Sequence, residues 1–239
     1  KGIQTLPSSW SKAVAATDGG LYAHHATVGT MICRMDEDKY PPQGGAVYEW
    51  IGRMPGSSQE VYLAESEAVE SLLHAMPSHS EVHIWMDALT RMRTIMKFQT
   101  MPERKRLTVA GRNSLRRIEW LLKNKDIAAR FGWVKAHQND DTDIPDLQPQ
   151  AILNCWADYL THEARTYPNH TQNPERPGHD PVAVHVSATG ERIDGDTFSA
   201  LQSVHAQRLS LALRKKLRHR RGTDTDIKLS SQIFFRSRV

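Results

Sequence analysis

Cysteine is scarce in this chain: 239 residues hold two, Cys33 and Cys155, far apart and outside any Cys-x-x-Cys pair. That scarcity excludes a zinc ribbon and a disulfide framework, and it reads as the reduced thiols of an intracellular protein, nuclear or cytoplasmic. Long apolar runs are missing too. No stretch approaches the ~18 consecutive apolar residues of a membrane helix, so no membrane partner is expected. Charge of one sign does not dominate, with 31 Lys plus Arg against 27 Asp plus Glu and a net +4, so the placement of charges matters more than their sum. No initiating Met or signal-peptide core opens the chain, which therefore reads as a piece of something longer. The remaining composition, 39% hydrophobic and 24% charged, is that of a globular protein of one to two domains with a sizeable core.

Residues 13–17 form a short apolar run closed by Asp18-Gly19-Gly20, which predicts a strand ending in a tight turn. Residues 27–35 and 46–52 predict two further strands, the second after a Pro-Pro-Gln-Gly-Gly break, giving an antiparallel meander. Over residues 60–76, Glu65, Val69, Leu72, Leu73 and Met76 recur at helical spacing on one face, with Glu67 and Glu70 off it. Residues 82–86 alternate and end at Asp87, as a strand would. Helices are expected over 88–98 and 113–125, with a basic connection at 100–107, then a strand over 130–137, an acidic loop over 138–149 and a helix over 151–166. Trp120 reads as core. This order favours an α/β domain with a mixed sheet. Beyond it, residues 167–181 read as a linker, and 182–239 as a C-terminal extension comprising a hairpin and a basic helix. The sequon at Asn169 is read as chance.

Four carboxylates fall at the ends of predicted elements: Asp18, Glu65, Asp87 and Asp158. Glu65 lies on a core-facing stripe, where an isolated charge costs several kcal/mol and must be paired or bind metal. Neighbouring strand ends can bring Asp18 and Asp87 together, with Glu65 and Asp158 arriving from helices. Such a cluster repels itself unless cations neutralise it, and hard oxygen donors suit Mg²⁺ or Mn²⁺ better than zinc. Two such ions about 3.5–4 Å apart can activate water against a phosphodiester.

These pieces, Ala16-Thr17-Asp18-Gly19-Gly20, Ala64-Glu65-Ser66-Glu67-Ala68, the 82–87 run Val-His-Ile-Trp-Met-Asp, Trp133-Val134-Lys135-Ala136-His137 and Asn154-Cys155-Trp156-Ala157-Asp158, resemble ribonuclease H of type 1, including the domains attached to reverse transcriptases. The resemblance covers residues 10–166. It implies a ribonuclease H-like mixed five-stranded sheet flanked by helices and an endonuclease that hydrolyses the RNA strand of RNA–DNA hybrids. It further implies two Mg²⁺ ions (Mn²⁺ as substitute) held by Asp18, Glu65, Asp87 and Asp158, with His137 moving protons or helping product leave. A retroelement polyprotein would supply the other domains. Asn154, four residues before Asp158, would orient that carboxylate or the loop. Ala88 stands where the family commonly has a small hydroxyl residue.

The basic run from Arg91 to Lys125 is the expected phosphate-binding region, with Arg104, Lys105, Arg106 and Arg112 as its contacts. The Gly19-Gly20 backbone is expected to approach 2′-hydroxyls. Residues 214–221 make a second basic patch, suited to nucleic acid, an acidic partner or an import receptor. Two other functions compete: a resolvase- or integrase-type nuclease on the same fold, and a catalytically silent scaffold that binds nucleic acid.

Overall fold

A computed structural model describes residues 4–23, 25–35, 47–54 and 60–166, together with Leu209, Ser210 and Ala212, which are helical. The expected linker, the hairpin and almost all of the basic helix lie outside the described residues. The chain divides into two compact units, Lys1–Thr197 and Phe198–Val239.

In the first unit, strands β1 (Lys12–Tyr22), β2 (His25–Arg34) and β3 (Val47–Arg53) precede helix α1 (Val61–Ala75) and strand β4 (Ser80–Met86). Helices α2 (Leu89–Phe98), α3 (Glu103–Arg106) and α4 (Arg112–Asn124) lead to β5 (Ile127–Trp133) and α5 (Pro149–Thr166). The sheet order is β3-β2-β1-β4-β5. β1–β2 and β2–β3 are antiparallel, whereas β4 pairs parallel with both β1 and β5. The expected mixed five-stranded sheet flanked by helices is therefore present. None of the described helices is long and apolar enough to cross a membrane.

β1 does not end at Asp18. It runs through Asp18-Gly19-Gly20 in unbroken register with β2, pairing Asp18 with Gly29 and Tyr22 with His25. The glycines mark close backbone approach instead of a turn. A Cβ on Gly19 would stand 2.3 Å from the Glu65 nitrogen, and one on Gly29 would stand 2.3 Å from the Ala157 carbonyl oxygen. Only a missing side chain lets α1 and α5 lie this near the two central strands.

One core joins α1 to β1, β4 and α4 through Leu72, Leu73, Ile84, Leu115 and Ile118. On the opposite face, Leu153, Ala157 and Leu160 of α5 pack on Val14, Ala16, Met31 and Cys33. α1 is buried on more than the one face its periodicity displays, and Glu67 and Glu70 are both buried. At Glu70 the reason is α4, which packs on a side that periodicity leaves to solvent. Arg117 of α4 answers Glu70 with Nε 2.8 and 2.9 Å from the two carboxylate oxygens, a geometry that leaves neither charge isolated. Trp120 packs against the main core, as expected.

Candidate active site

Glu65 lies one turn inside α1, not at its start, because the helix begins at Val61. Asp18 is carried by β1, and Asp87 directly follows β4, the parallel neighbour of β1. Gly19 lets the Glu65 turn press against β1, and the three carboxylates meet there. One oxygen from each of Asp18, Glu65 and Asp87 lies within 4.8 Å of the others. Asp18 and Glu65 are only 7% and 3% exposed.

Burial is the main cause of a raised pKa for all three. Asp18 is pushed up to about 6, first by burial and then by the neighbouring charge of Asp87, against a hydrogen bond from Thr161 that favours the anion. Glu65 is held well above the ordinary carboxylate range by burial, then by Asp18 and Asp87. Asp87 is raised by burial and eased back by the Asn154 side chain and by His137. Three acids that resist sharing negative charge form a site that a cation would satisfy. Glu65 Oε2 is buried and accepts no hydrogen bond, and the donor set is all carboxylate oxygen. These residues fit a hard divalent ion.

Asp158, half-buried on α5, lies outside the group of three whose oxygens converge, yet near enough that its charge raises the pKa of both Asp18 and Asp87. His137 lies beyond the end of β5, not within the strand as expected. Its backbone turns left-handed, at φ 51°, into the acidic loop. Its Nδ1 stands 3.7 Å from Asp158 Oδ2. Asn154 is buried and its amide bonds Asp87, where Asp158 or the loop had been expected as its partner.

Sequence reasoning missed three supports. Trp133 Nε1 donates to the Asp87 carbonyl oxygen at 2.9 Å, pinning the loop after β4 to the end of β5. Thr161 Oγ1 of α5 lies 3.0 Å from the Ala157 carbonyl oxygen of its own helix and 3.3 Å from the Asp18 carbonyl oxygen, so its one proton is shared at the junction of α5 and β1. Arg91, buried behind α1, donates from Nε to Ser66 Oγ and from Nη1 to the Ala110 carbonyl at 3.0 Å, and its charge favours the Glu65 anion. The signal for Arg91 was available: it shares the 91, 95, 98 stripe of α2 with Ile95 and Phe98. Trp133→Phe removes the indole donor and is expected to lower stability by about 1 kcal/mol. Urea unfolding measures this, and an unaltered midpoint would show that the bond anchors nothing.

The basic run divides. Arg104 and Lys105 are exposed. Arg106 is ion-paired to Glu119 and lies over the Phe98 ring, and Arg112 Nη1 donates to the Leu107 carbonyl at 2.7 Å. Arg91 and Arg117 are buried and structural.

A mixed five-stranded sheet with a carboxylate cluster beside its central strands defines an α/β domain able to hold divalent metal. No family model matches the chain, and no curated protein matches it. Among solved structures it is similar to ribonuclease H domains. One is the N-terminal RNase H domain of a Mycobacterium tuberculosis protein, solved as a fusion with maltose binding protein. The two share 14% identity over 65% of this chain and 94% of that one, with a TM-score of 0.45. RNase H1 from the halophilic archaeon Halobacterium salinarum is similar at 17% identity, over 65% and 98%, with a TM-score of 0.44. LC11-RNase H1, solved in complex with an RNA/DNA hybrid, is similar at 19% identity, over 64% and 95%, with a TM-score of 0.42.

Proposed function

We propose that this chain is an intracellular endonuclease that hydrolyses the RNA strand of RNA–DNA hybrids, as one domain of a retroelement polyprotein. The observation that supports it most is the meeting of Asp18, Glu65 and Asp87 with an unpartnered, buried Glu65 oxygen among them. Asp158 adds a fourth carboxylate from α5. Asp18, Glu65, Asp87 and Asp158 would hold two Mg²⁺ ions, or Mn²⁺ in their place, whose positive charge would lower the pKa of a water and offset charge on the leaving oxygen.

His137, with its ring 62% exposed beside Asp158, moves a proton between solvent and the departing strand. Asn154 keeps the Asp87 carboxylate oriented. The Gly19-Gly20 backbone approaches the substrate, Arg104 and Lys105 meet phosphates, and Arg106 and Arg112 add to the positive field from bonded positions. His137→Ala is expected to lower turnover about 10²-fold, and a rate within twofold of the parent would remove the histidine from the mechanism.

The deciding experiment is cleavage of end-labelled RNA–DNA hybrid in Mg²⁺ beside duplex RNA, duplex DNA and single-stranded RNA. Cutting confined to the RNA of the hybrid, and lost in Asp18→Asn, is the expected result. Hybrid bound but never cut in Mg²⁺ or Mn²⁺ would overturn it in favour of the scaffold, and preference for branched DNA would favour a resolvase.

A further inference from the structure

β1 continues four residues beyond Asp18, and its side chains alternate, so Asp18, Gly20 and Tyr22 share the sheet face on which α5 lies. Gly20 pairs with Thr27 of β2, and Thr27 pairs with Arg53 of β3, making one row across three strands. The last turn of α5 closes over this row. Arg53 donates from Nε to the Ala164 carbonyl at 3.4 Å and from Nη2 to the Arg165 carbonyl at 3.1 Å. Arg165 folds back so that its guanidinium carbon sits 5.4 Å from the centre of the Tyr22 ring, with Nη1 3.3 Å from His162 Nδ1.

Two features point to a ligand. Thr27 Oγ1 and Arg165 Nε are buried and have no hydrogen-bond partner. Both side chains border Gly20, where a Cβ would lie 2.8 Å from Thr161 Cγ2, 3.2 Å from Thr27 Oγ1 and 3.4 Å from Arg165 Nη2, so α5 packs directly on the strand there and the guanidinium lies at its edge. Among the described residues no carboxylate pairs with Arg53, His162 or Arg165. Tyr22, 57% exposed, presents the aromatic surface on which Arg165 rests.

We propose that Arg165 and Tyr22 form an anchor for the nucleic-acid backbone, gripping a phosphate and its adjoining nucleotide a few positions along from the acid cluster. The proposal rests on the hybrid-nuclease reading and deepens it. A guanidinium is a planar fork matched to phosphate oxygens, and an aromatic ring beside it accepts a base or sugar by stacking. Four residues of strand place the anchor about 13 Å from Asp18. That distance is roughly four base-pair steps at 3.4 Å, so the anchor holds substrate without entering the chemistry. A purely structural role, complementing the C-terminus of α5, would change thermal stability and leave hybrid affinity alone.

The test uses the full chain in the non-cleaving Asp18→Asn background and a fluorescein-labelled RNA–DNA hybrid, titrated at several salt concentrations. Arg165→Gln is expected to raise Kd about tenfold and to flatten the slope of log K against log salt by about one. Tyr22→Ala, at an exposed position, is expected to raise Kd about threefold. Arg165→Lys keeps the charge, so it should retain the salt slope while losing affinity with the fork and the stack; it also serves if Arg165→Gln does not fold. Arg130→Gln, at an exposed arginine on β5, is the charge-matched control. Unaltered Kd and slope in Arg165→Gln, or an equal loss in Arg130→Gln, overturns the anchor. Wild-type chain that cleaves hybrid while the Arg165 variants bind normally sinks the anchor alone. Chain that binds hybrid through Arg165 without cutting it sinks the enzyme reading alone, and a background that binds no hybrid overturns the anchor.

Discussion

Asp18→Asn is expected to abolish Mg²⁺-dependent cleavage, by at least about 10³-fold, and at the same time to make the metal-free protein more stable at neutral pH by about 3 kcal/mol. The two effects share one cause. Asp18 is buried beside Asp87, and its folded pKa rises from 3.8 to about 6. A carboxyl group raised in the fold binds its proton more tightly there than in the unfolded chain. Its favourable contribution is therefore complete below pH ~4, is lost as pH climbs through ~6, and is absent above it. An amide cannot ionise and escapes that loss. The measurement is urea unfolding of parent and variant in EDTA from pH 4 to 8. The parent should weaken across this window more than the variant does, and millimolar Mg²⁺ should restore the parent preferentially. Parallel pH profiles, or a variant that cleaves at the parental rate, would contradict the shared cause.

Gly19→Ala is the second large effect, and it is expected without any change of charge. The added methyl would stand 2.3 Å from the Glu65 nitrogen and 2.6 Å from the Ala64 carbonyl carbon, both backbone atoms with nowhere to retreat. α1 must move off β1, at about 3 kcal/mol of stability. Glu65 moves with it, and a displacement near 1 Å is enough to lower turnover about 10²-fold. Urea midpoint and hybrid cleavage, measured together, check this. A variant with normal stability would show that the contact between helix and strand is slack.

The acid cluster was legible because its three members stand at chemically loaded points, on β1 before a glycine pair, one turn into α1 and at the end of β4. Periodicity located the elements to within a few residues. The error at Asp18-Gly19-Gly20 has a physical origin: glycine pairs commonly mark turns, but here Gly19 serves the close approach of a helix, and a local pattern does not separate the two uses. The burial of Glu70 was hidden for a related reason, since α4 supplies its Arg117 partner from another part of the chain. The partner of Asn154 was not legible, because helix spacing favours Asp158 whereas the packing of α5 delivers its amide to Asp87. The stack of Arg165 on Tyr22 joins nearly opposite ends of the domain, and no local signal announces it.

The placement of α5 also sets a timetable for a chain leaving the ribosome. β1 through β5 and α1 through α4 emerge first, but the face of β1 and β2 built from Val14, Ala16, Met31 and Cys33 gains its cover only from Leu153, Ala157 and Leu160. Domains made of such distant contacts close late, since every contact must wait for the intervening loop to be drawn in. A nascent chain halted before residue 149, where α5 begins, therefore exposes an apolar face, lacks the carboxylate of Asp158 and offers chaperones a sticky intermediate. Arrival of a single helix near the end of the domain seals its second core and delivers the Asp158 charge beside Asp18 and Asp87 in one event.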